Sequence, residues 1–188
     1  MKTGFLWIQR ALLTCAFGAI GYCGYVLGDT WLFQEEENFA LTQALAEVPA
    51  GSALPPLSDG LVGRIEIARL GVSVIVTEGT SSKTLRRAAG HIEGTSLPGQ
   101  PGNIGISAHR DTFFRPLRNI RTDDVVKLTT LAGAYEYRVV STKIVKPEDV
   151  TVLAASGSEV LTLVTCYPFY FVGSAPERFI VRAERVGI

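Results

Sequence analysis

The segment VLTLVTC, residues 160–166, is a short run of apolar and β-branched residues that ends in a cysteine. Short apolar runs bounded by turn-forming residues are typical of buried β-strands. Pro168 follows the run almost at once, and Gly173 lies a little further along the chain. The segment therefore predicts a strand over 160–165 with Cys166 at its end.

Further runs of the same kind fill residues 61–188, where turns rich in glycine and proline separate them. Short helical segments are predicted over 81–89 and 113–120. Roughly seven or eight short strands without long helices favour an all-β domain built as a closed or nearly closed β-barrel. The other predicted strands cover residues 62–67, 71–77, 103–108, 125–130, 135–143 and 179–183.

The N-terminal part of the chain predicts a transmembrane helix. Residues 11–28, ALLTCAFGAIGYCGYVLG, contain no Lys, Arg, Asp or Glu. As a helix they would span roughly 27 Å, near the thickness of a bilayer core. Trp7 and Trp31 flank the run, where interfacial aromatic residues are expected.

The charges around this run predict its orientation. Lys2 and Arg10 lie on its N-terminal side and acidic residues follow it. The positive-inside rule then predicts a cytoplasmic stretch over 1–10 and an extracytoplasmic remainder, in a single-pass protein of the cell membrane. A helix and a proline-rich linker are predicted over 29–60. A cleaved signal peptide is the alternative, but the apolar run is long for one and no clear cleavage site closes it.

The charge balance argues against nucleic acid as a partner. The chain has 18 basic and 18 acidic residues, so its formal net charge is zero. The arginines are scattered and no basic tract occurs.

Cysteine usage singles out Cys166. Cys15 and Cys23 fall inside the predicted membrane segment, which leaves Cys166 alone in the predicted exported domain. Exported proteins normally pair their cysteines in disulfides, so a lone one needs an explanation. Taken by itself, it could be a buried small hydrophobic residue, an intermolecular crosslink or a catalytic nucleophile.

Cysteine–histidine catalysis fits the available residues. His109 follows the predicted strand 103–108, and Arg178 precedes the predicted strand 179–183. Because the reactive form of a cysteine is its thiolate, a catalytic site needs cationic groups near Cys166. Side chains at the ends of neighbouring strands could meet at one rim of a barrel.

The sequence around these three residues resembles that of the sortase family. Residues 161–166, LTLVTC, resemble the T-L-x-T-C signature that carries the sortase nucleophile. Residues 107–112, SAHRDT, look like the sortase histidine segment, and residues 177–181, ERFIV, look like the arginine strand. The resemblance extends over 63–183 in the same order, and CYPFYFVG, residues 166–173, is most similar to the class D branch.

This resemblance implies a cysteine transpeptidase on an eight-stranded β-barrel behind an N-terminal membrane anchor. Sortases cut a sorting signal, often L-P-x-T-G, between threonine and glycine. By this resemblance Cys166 would form an acyl-thioester and His109 would act as general acid and base. Arg178 would donate hydrogen bonds to the oxyanion or hold the peptide backbone near the thiol. The implied partners are surface proteins that carry a sorting signal and an amine acceptor, either a peptidoglycan precursor or a pilin-like lysine.

No cofactor is predicted. The chain has two histidines, His91 and His109, and no close ligand pair of the C-x-x-C or H-x-x-x-H kind. His91 either lines the substrate groove or is a structural imidazole bonded to a backbone carbonyl. A calcium site like that of some sortases would use acidic residues, although a solvated acidic face is the commoner explanation for them. The residues concerned are Glu93, Asp123 and Asp124.

Several neighbours of the three central residues have open roles. Asp111 either orients His109 or caps the following turn. Three other arginines could replace Arg178 in its role: Arg110, Arg115 and Arg182. An aromatic cluster either packs against substrate or covers the barrel end; its members are Tyr167, Phe169, Tyr170 and Phe171.

Three other functions compete with transpeptidation. The chain could be a protease in which water outcompetes any amine, and an added amine acceptor would distinguish the two. It could instead be a non-catalytic extracytoplasmic β-barrel that serves assembly or adhesion. A papain-like protease fits poorly, because the cysteine follows the histidine and no helix stands behind the cysteine.

Overall fold

The computed structural model describes residues 2–47, 60–171 and 173–187. In these ranges the chain forms a long helix, α1 (Lys2–Glu47), a short helix, α2 (Ser82–Arg87), and eight strands. The strands are β1 (Leu61–Ile67), β2 (Val72–Glu78), β3 (Ala89–His91), β4 (Asn103–Ser107), β5 (Val125–Thr130), β6 (Gly133–Val145), β7 (Val160–Tyr167) and β8 (Glu177–Arg185).

The eight strands close into one barrel in the order β1-β2-β3-β4-β7-β8-β6-β5, with β5 paired back to β1. The pairs β2–β3 and β4–β7 are parallel, and the other neighbours are antiparallel. A closed sheet has no free edge at which another chain could pair. The predicted closed, eight-stranded all-β barrel is confirmed.

Alternation along each strand fills the barrel interior and sets the outward face. On β7, Leu161 and Leu163 are fully buried in the core, and Thr165 is 2% exposed. Cys166 is out of phase with these three residues, so it lies on the outer face of the strand. Core residues from other elements include Ile65, Val74, Ile104, Phe114, Leu117, Leu128, Tyr137 and Val181.

The C-terminal half of α1 lies against the barrel wall. Arg87, at the end of α2, donates to both carboxylate oxygens of Asp29 at 2.7 and 2.6 Å. Gln34 donates to the Arg87 carbonyl at 2.6 Å and accepts from the Ile75 amide of β2 at 3.0 Å. Leu41 is fully buried. These contacts attach α1 to α2, β1 and β2.

The N-terminal half of α1 is apolar and exposed. Residues 6–46 form a helix that is long and apolar enough to cross a membrane. Its apolar stretch has a mean hydropathy of 1.6, and no part of that stretch is buried in the protein. Leu12, Phe17 and Ile20 are 65%, 71% and 68% exposed. The apolar run and the helix predicted after it form one uninterrupted element, while the predicted linker from Pro49 onward lies largely outside the described residues.

Some predicted boundaries were wrong. The helix predicted over 81–89 ends at Arg87, because Ala88 adopts extended backbone and residues 89–91 form β3 between β2 and β4. A strand of three residues is too short to show a period of two, so the sequence could not reveal it. The helical segment expected over 113–120 is a 3-10 helix, Arg115–Asn119.

Candidate active site

Cys166 and Arg178 are direct partners on adjacent antiparallel strands. β7 and β8 pair without a register shift, and Cys166 of β7 lies opposite Arg178 of β8. Opposed residues of this kind have their Cβ atoms roughly 4.5–5.5 Å apart and point to the same face. The thiol and the guanidinium group therefore leave the sheet side by side.

His109 lies on the other side of Cys166. β4 runs parallel to β7 and stays in register with it. Past the end of β4, the Ala108 amide donates to the Val164 carbonyl at 3.2 Å, and Thr165 Oγ1 donates to the Ala108 carbonyl at 2.8 Å. The same register, continued to the next residue, places His109 beside Cys166. Strands β7 and β8 and the segment that follows β4 thus contribute the three side chains.

These three side chains line a single cleft of about 330 Å³. His109 is exposed, whereas Cys166 and Arg178 are half-buried. Cys166 is therefore placed at a surface cleft, which is not the location of a small hydrophobic residue that fills the core. The rest of the lining comes from Arg110, Asp111, Gly173, Ser174 and Ala175.

The Arg178 guanidinium is held by its own loop and keeps free donors. Its Nη1 donates to the Ala175 carbonyl at 3.2 Å and to the Glu177 carbonyl at 3.0 Å. Within the described part of the chain, Nε and Nη2 have no hydrogen-bond partner. A fixed positive charge with unused donors beside a thiol is suited to bind a developing oxyanion.

The two residues after His109 form a pair with each other. Arg110 is only 6% exposed, and its Nε lies 3.5 Å from the Asp111 carboxylate. Arg110 also donates to main-chain carbonyls of the loop that joins β7 to β8. Asp111 is exposed, and its ion pair is with Arg110. Arg110 is therefore not an alternative to Arg178 at the thiol, because its donors point into the loop.

The other two alternative arginines are not among the residues that line the cleft with Cys166. Arg115 is exposed on the 3-10 helix. Arg182 shares the outer face of β8 with Arg178, since it pairs with Thr162 in the same unshifted register. It lines a separate small pocket of about 130 Å³ together with Thr162 and Ile180.

The aromatic cluster after Cys166 covers this end of the barrel. Tyr167 and Phe169 meet edge to face with centroids 6.0 Å apart, and both rings contact Phe179 of β8. Tyr170 is exposed and accepts a hydrogen bond from Arg118 at 2.8 Å. The part of the cluster that contacts the core is therefore structural, while Tyr170 faces solvent.

His91 lies on β3 and does not line the cleft. It is 2% exposed, with Nδ1 2.8 Å from a Glu78 carboxylate oxygen and Nε2 3.0 Å from the Ser96 carbonyl. Both ring nitrogens of this buried imidazole therefore lie within hydrogen-bond distance of groups of the protein. Of the two roles left open by the sequence, this placement corresponds to the structural imidazole.

The acidic residues considered for a cation do not converge. The Asp124 carboxylate accepts hydrogen bonds from Arg69, and this pairing holds the pKa of Asp124 below its usual range. Asp123 pairs instead with Arg138 at 3.9 Å. Among residues 2–47, 60–171 and 173–187, no group of three or more His, Cys, Asp or Glu side chains is arranged to hold a metal ion.

Comparison with known proteins identifies the relatives of this chain. The Sortase domain family model matches residues 65–186. Over 125 residues the chain is 36% identical to Sortase D of Bacillus subtilis, an alignment that covers 66% of this chain and 63% of that protein. Over 112 residues it is 30% identical to Sortase A of Listeria monocytogenes, covering 57% and 50%. The chain thus spans less than two thirds of the length of these curated relatives.

Solved structures share the fold. Sortase C1 of GBS Pilus Island 1 superposes with a TM-score of 0.71 at 22% identity, covering 82% of this chain and 93% of that one. The Clostridium perfringens Sortase D5 transpeptidase superposes with a TM-score of 0.65 at 28% identity, covering 82% and 96%.

Proposed function

The chain belongs to the sortase family, and from this premise we propose that it is a membrane-anchored cysteine transpeptidase with Cys166, His109 and Arg178 as its catalytic residues. The observation that carries the proposal is their placement around one cleft, with Cys166 on β7, Arg178 on β8 and His109 just past the end of β4. The description of a structural neighbour as a transpeptidase supports the same reaction class.

In the first half-reaction, the Cys166 thiolate attacks the scissile carbonyl carbon of a bound peptide. The carbonyl oxygen then carries a negative charge, which the Arg178 guanidinium stabilises through Nε and Nη2. His109 gives its proton to the departing amine as the C–N bond breaks. An acyl-thioester on Cys166 and a free amine product result.

The second half-reaction reverses these roles. An incoming amine attacks the thioester carbonyl, and His109 accepts the proton that the amine loses. The C–S bond breaks, a new amide forms, and the Cys166 thiolate is regenerated. The exposed position of His109 leaves it accessible to an acceptor that arrives from solvent.

The proposed substrates are surface proteins with a sorting signal of the L-P-x-T-G kind, cut between threonine and glycine. The proposed acceptor is an amine of a peptidoglycan precursor or a pilin-like lysine. No cofactor is part of this proposal, since every step uses groups of the chain or of the two substrates.

The apolar half of α1 supports anchoring in the cell membrane. We propose a cytoplasmic stretch over 1–10, a transmembrane segment over 11–28, and a helix and linker over 29–60. The catalytic barrel over 61–188 then lies outside the cytoplasm. The large exposed apolar surface of α1 would otherwise be in contact with water.

Mass spectrometry of the full chain in detergent micelles tests the reaction. The helix α1 docks on the barrel, so the experiment keeps it. Incubation with a library of L-P-x-T-G-like peptides is expected to give a peptide-sized adduct on Cys166 that an added peptide amine, triglycine, discharges. An amine-containing product shows transpeptidation, whereas free acid alone would show hydrolysis.

Two variants control this experiment. Cys166→Ala is expected to form no adduct. Arg178→Lys keeps the charge but loses the fork of donors, and we expect adduct formation to slow about 100-fold. If the wild-type chain forms no adduct and Cys166 resists alkylation at every pH, the non-catalytic assembly or adhesion module is the better description.

A further inference from the structure

Arg110 is buried between two exposed residues. It is 6% exposed, whereas His109 and Asp111 on either side face solvent. Burial of a guanidinium group is unfavourable unless hydrogen bonds and charges compensate for the lost water. The groups that contact Arg110 therefore indicate which part of the structure this side chain stabilises.

Those contacts are main-chain carbonyls of one loop. Arg110 Nη1 donates to the Pro168 carbonyl at 2.8 Å. Its Nη2 donates to the Phe171 carbonyl at 2.6 Å and to the Gly173 carbonyl at 3.1 Å. With Asp111 beside Nε, all three nitrogen atoms of the guanidinium group have a partner.

The loop that receives these bonds joins Cys166 on β7 to Arg178 on β8. Its residues Gly173 and Ala175 line the cleft. The Ala175 carbonyl also accepts from Arg178 Nη1 at 3.2 Å. A continuous set of contacts therefore runs from Arg110 through the loop to the Arg178 guanidinium.

We propose that Arg110 is a positioning residue, which ties the β7–β8 loop to the segment that carries His109 and so fixes the cleft wall and Arg178. This inference rests on the proposed transpeptidase function for its effect on rate. It concerns a residue that touches neither the thiol nor the scissile bond. Its role is to hold His109, which follows β4, in a fixed position relative to Cys166 on β7 and Arg178 on β8.

The chemistry of the side chain explains why an arginine stands here. Three carbonyls and a carboxylate surround one planar group, and a guanidinium fork supplies five donors in fixed directions. A lysine would supply one flexible ammonium group, which cannot reach three carbonyls in the same geometry. Arg110→Lys therefore keeps the charge and removes most of the positioning.

The test uses the full chain in detergent micelles with an L-P-x-T-G peptide and triglycine as acceptor. The variants are Arg110→Gln and Arg110→Lys, and the matched control is Arg138→Gln on β6, whose arginine is largely exposed. We expect kcat/KM to fall about 100-fold for Arg110→Gln and about 10-fold for Arg110→Lys, because small displacements of catalytic groups are costly. The control is expected to retain wild-type activity.

Two further readouts separate positioning from folding. The rate of Cys166 alkylation by iodoacetamide, which needs no ordered loop, is expected to stay unchanged. Amide hydrogen exchange in the loop after Cys166 is expected to accelerate in the variants. If Arg110→Gln does not fold, Arg110→Lys decides the question on the same readouts.

The outcomes distinguish this inference from the proposed function. Wild-type kcat/KM in both variants, or unchanged loop exchange, would overturn the positioning role while leaving the transpeptidase intact. Alkylation that slows in parallel with transfer would show a purely structural role and would also overturn it. A wild-type chain that forms no thioester contradicts the proposed function, and loop exchange then still decides the role of Arg110.

Discussion

Single side chains acquire their roles here from the strand face on which they lie. Cys166 and Leu163 belong to the same strand, yet one lines a surface cleft and the other is fully buried. Alternation explains this difference, because successive residues of a strand point to opposite faces. The same rule brings Arg178 beside Cys166, since directly paired residues share a face.

A residue-scale prediction concerns Asp124, which is 9% exposed. It accepts from the Arg69 side chain and from the Arg121 amide at 2.8 Å, and the bond from Arg69 is the main cause of its lowered pKa. A carboxyl group whose pKa is lower in the folded state stabilises the fold above its unfolded pKa of about 3.9. That stabilisation is lost as the pH falls through the folded pKa.

We therefore expect Asp124→Asn to lower the unfolding temperature at pH 7 and to differ less from wild type as the pH falls below about 3.9. Thermal unfolding in detergent at several pH values measures this. Asp123→Asn is the matched control, because Asp123 is exposed and asparagine also tolerates its positive φ of 71°. A difference for Asp124→Asn that does not vary with pH would contradict the assignment.

At the scale of elements, α1 consists of an apolar half, which the sequence predicts, and a half that docks on the barrel, which the sequence does not predict. Its N-terminal half is apolar all round and exposed, while the half that begins near Asp29 is attached to α2 and β2. The helix is continuous across both halves. The orientation of the barrel relative to the proposed membrane segment is therefore set by side-chain contacts of α1.

Gln34 provides the element-scale prediction. Its side chain binds the Arg87 carbonyl and the Ile75 amide, so Gln34→Ala leaves two main-chain groups without their partners. We expect a loss of about 1–3 kcal/mol in unfolding free energy. Hydrogen exchange at the Ile75 amide should accelerate.

Thr42→Ala is the control for this substitution, because among the described residues the Thr42 hydroxyl bonds within the helix, to the Asn38 carbonyl. It is expected to leave exchange at Ile75 unchanged. Equal exchange rates at Ile75 in wild type and Gln34→Ala would show that α1 does not dock there in solution.

At the scale of the whole molecule, a single core stabilises the barrel. Side chains from β1 to β8 and from the 3-10 helix contribute to one buried cluster. In such close-packed interiors, the removal of a buried side chain leaves a cavity that the surroundings fill only in part. The candidate site depends on this core only indirectly, because the proposed catalytic side chains lie on the outer face.

Leu128 of β5 tests this separation, because β5 does not neighbour β7 in the barrel. We expect Leu128→Ala to lower the unfolding free energy by about 2–5 kcal/mol. Thioester formation per folded molecule should be unchanged. The control Val125→Ala lies on the same strand at a site 41% exposed, and should cost about 0.5 kcal/mol or less. A parallel loss of thioester formation in folded Leu128→Ala would show that the core and the site are coupled.

The sequence alone determined the strand-rich class of the domain, the apolar N-terminal run and the family. Runs such as 160–166 carry local signals, since alternation, β-branching and turn residues act within a few neighbours. The motifs around His109, Cys166 and Arg178 were readable for the same reason. They are short, ordered along the chain and specific in combination.

Only the tertiary structure decided the pairing of distant strands and what that pairing brings together. The parallel contact of β4 with β7 places His109 beside Cys166, and no local pattern encodes it. The three-residue strand β3 and the docking of Gln34 on β2 likewise depend on partners far away in the chain. The sequence offered Arg110 only as an alternative to Arg178, because its burial under the β7–β8 loop exists only once the barrel has closed.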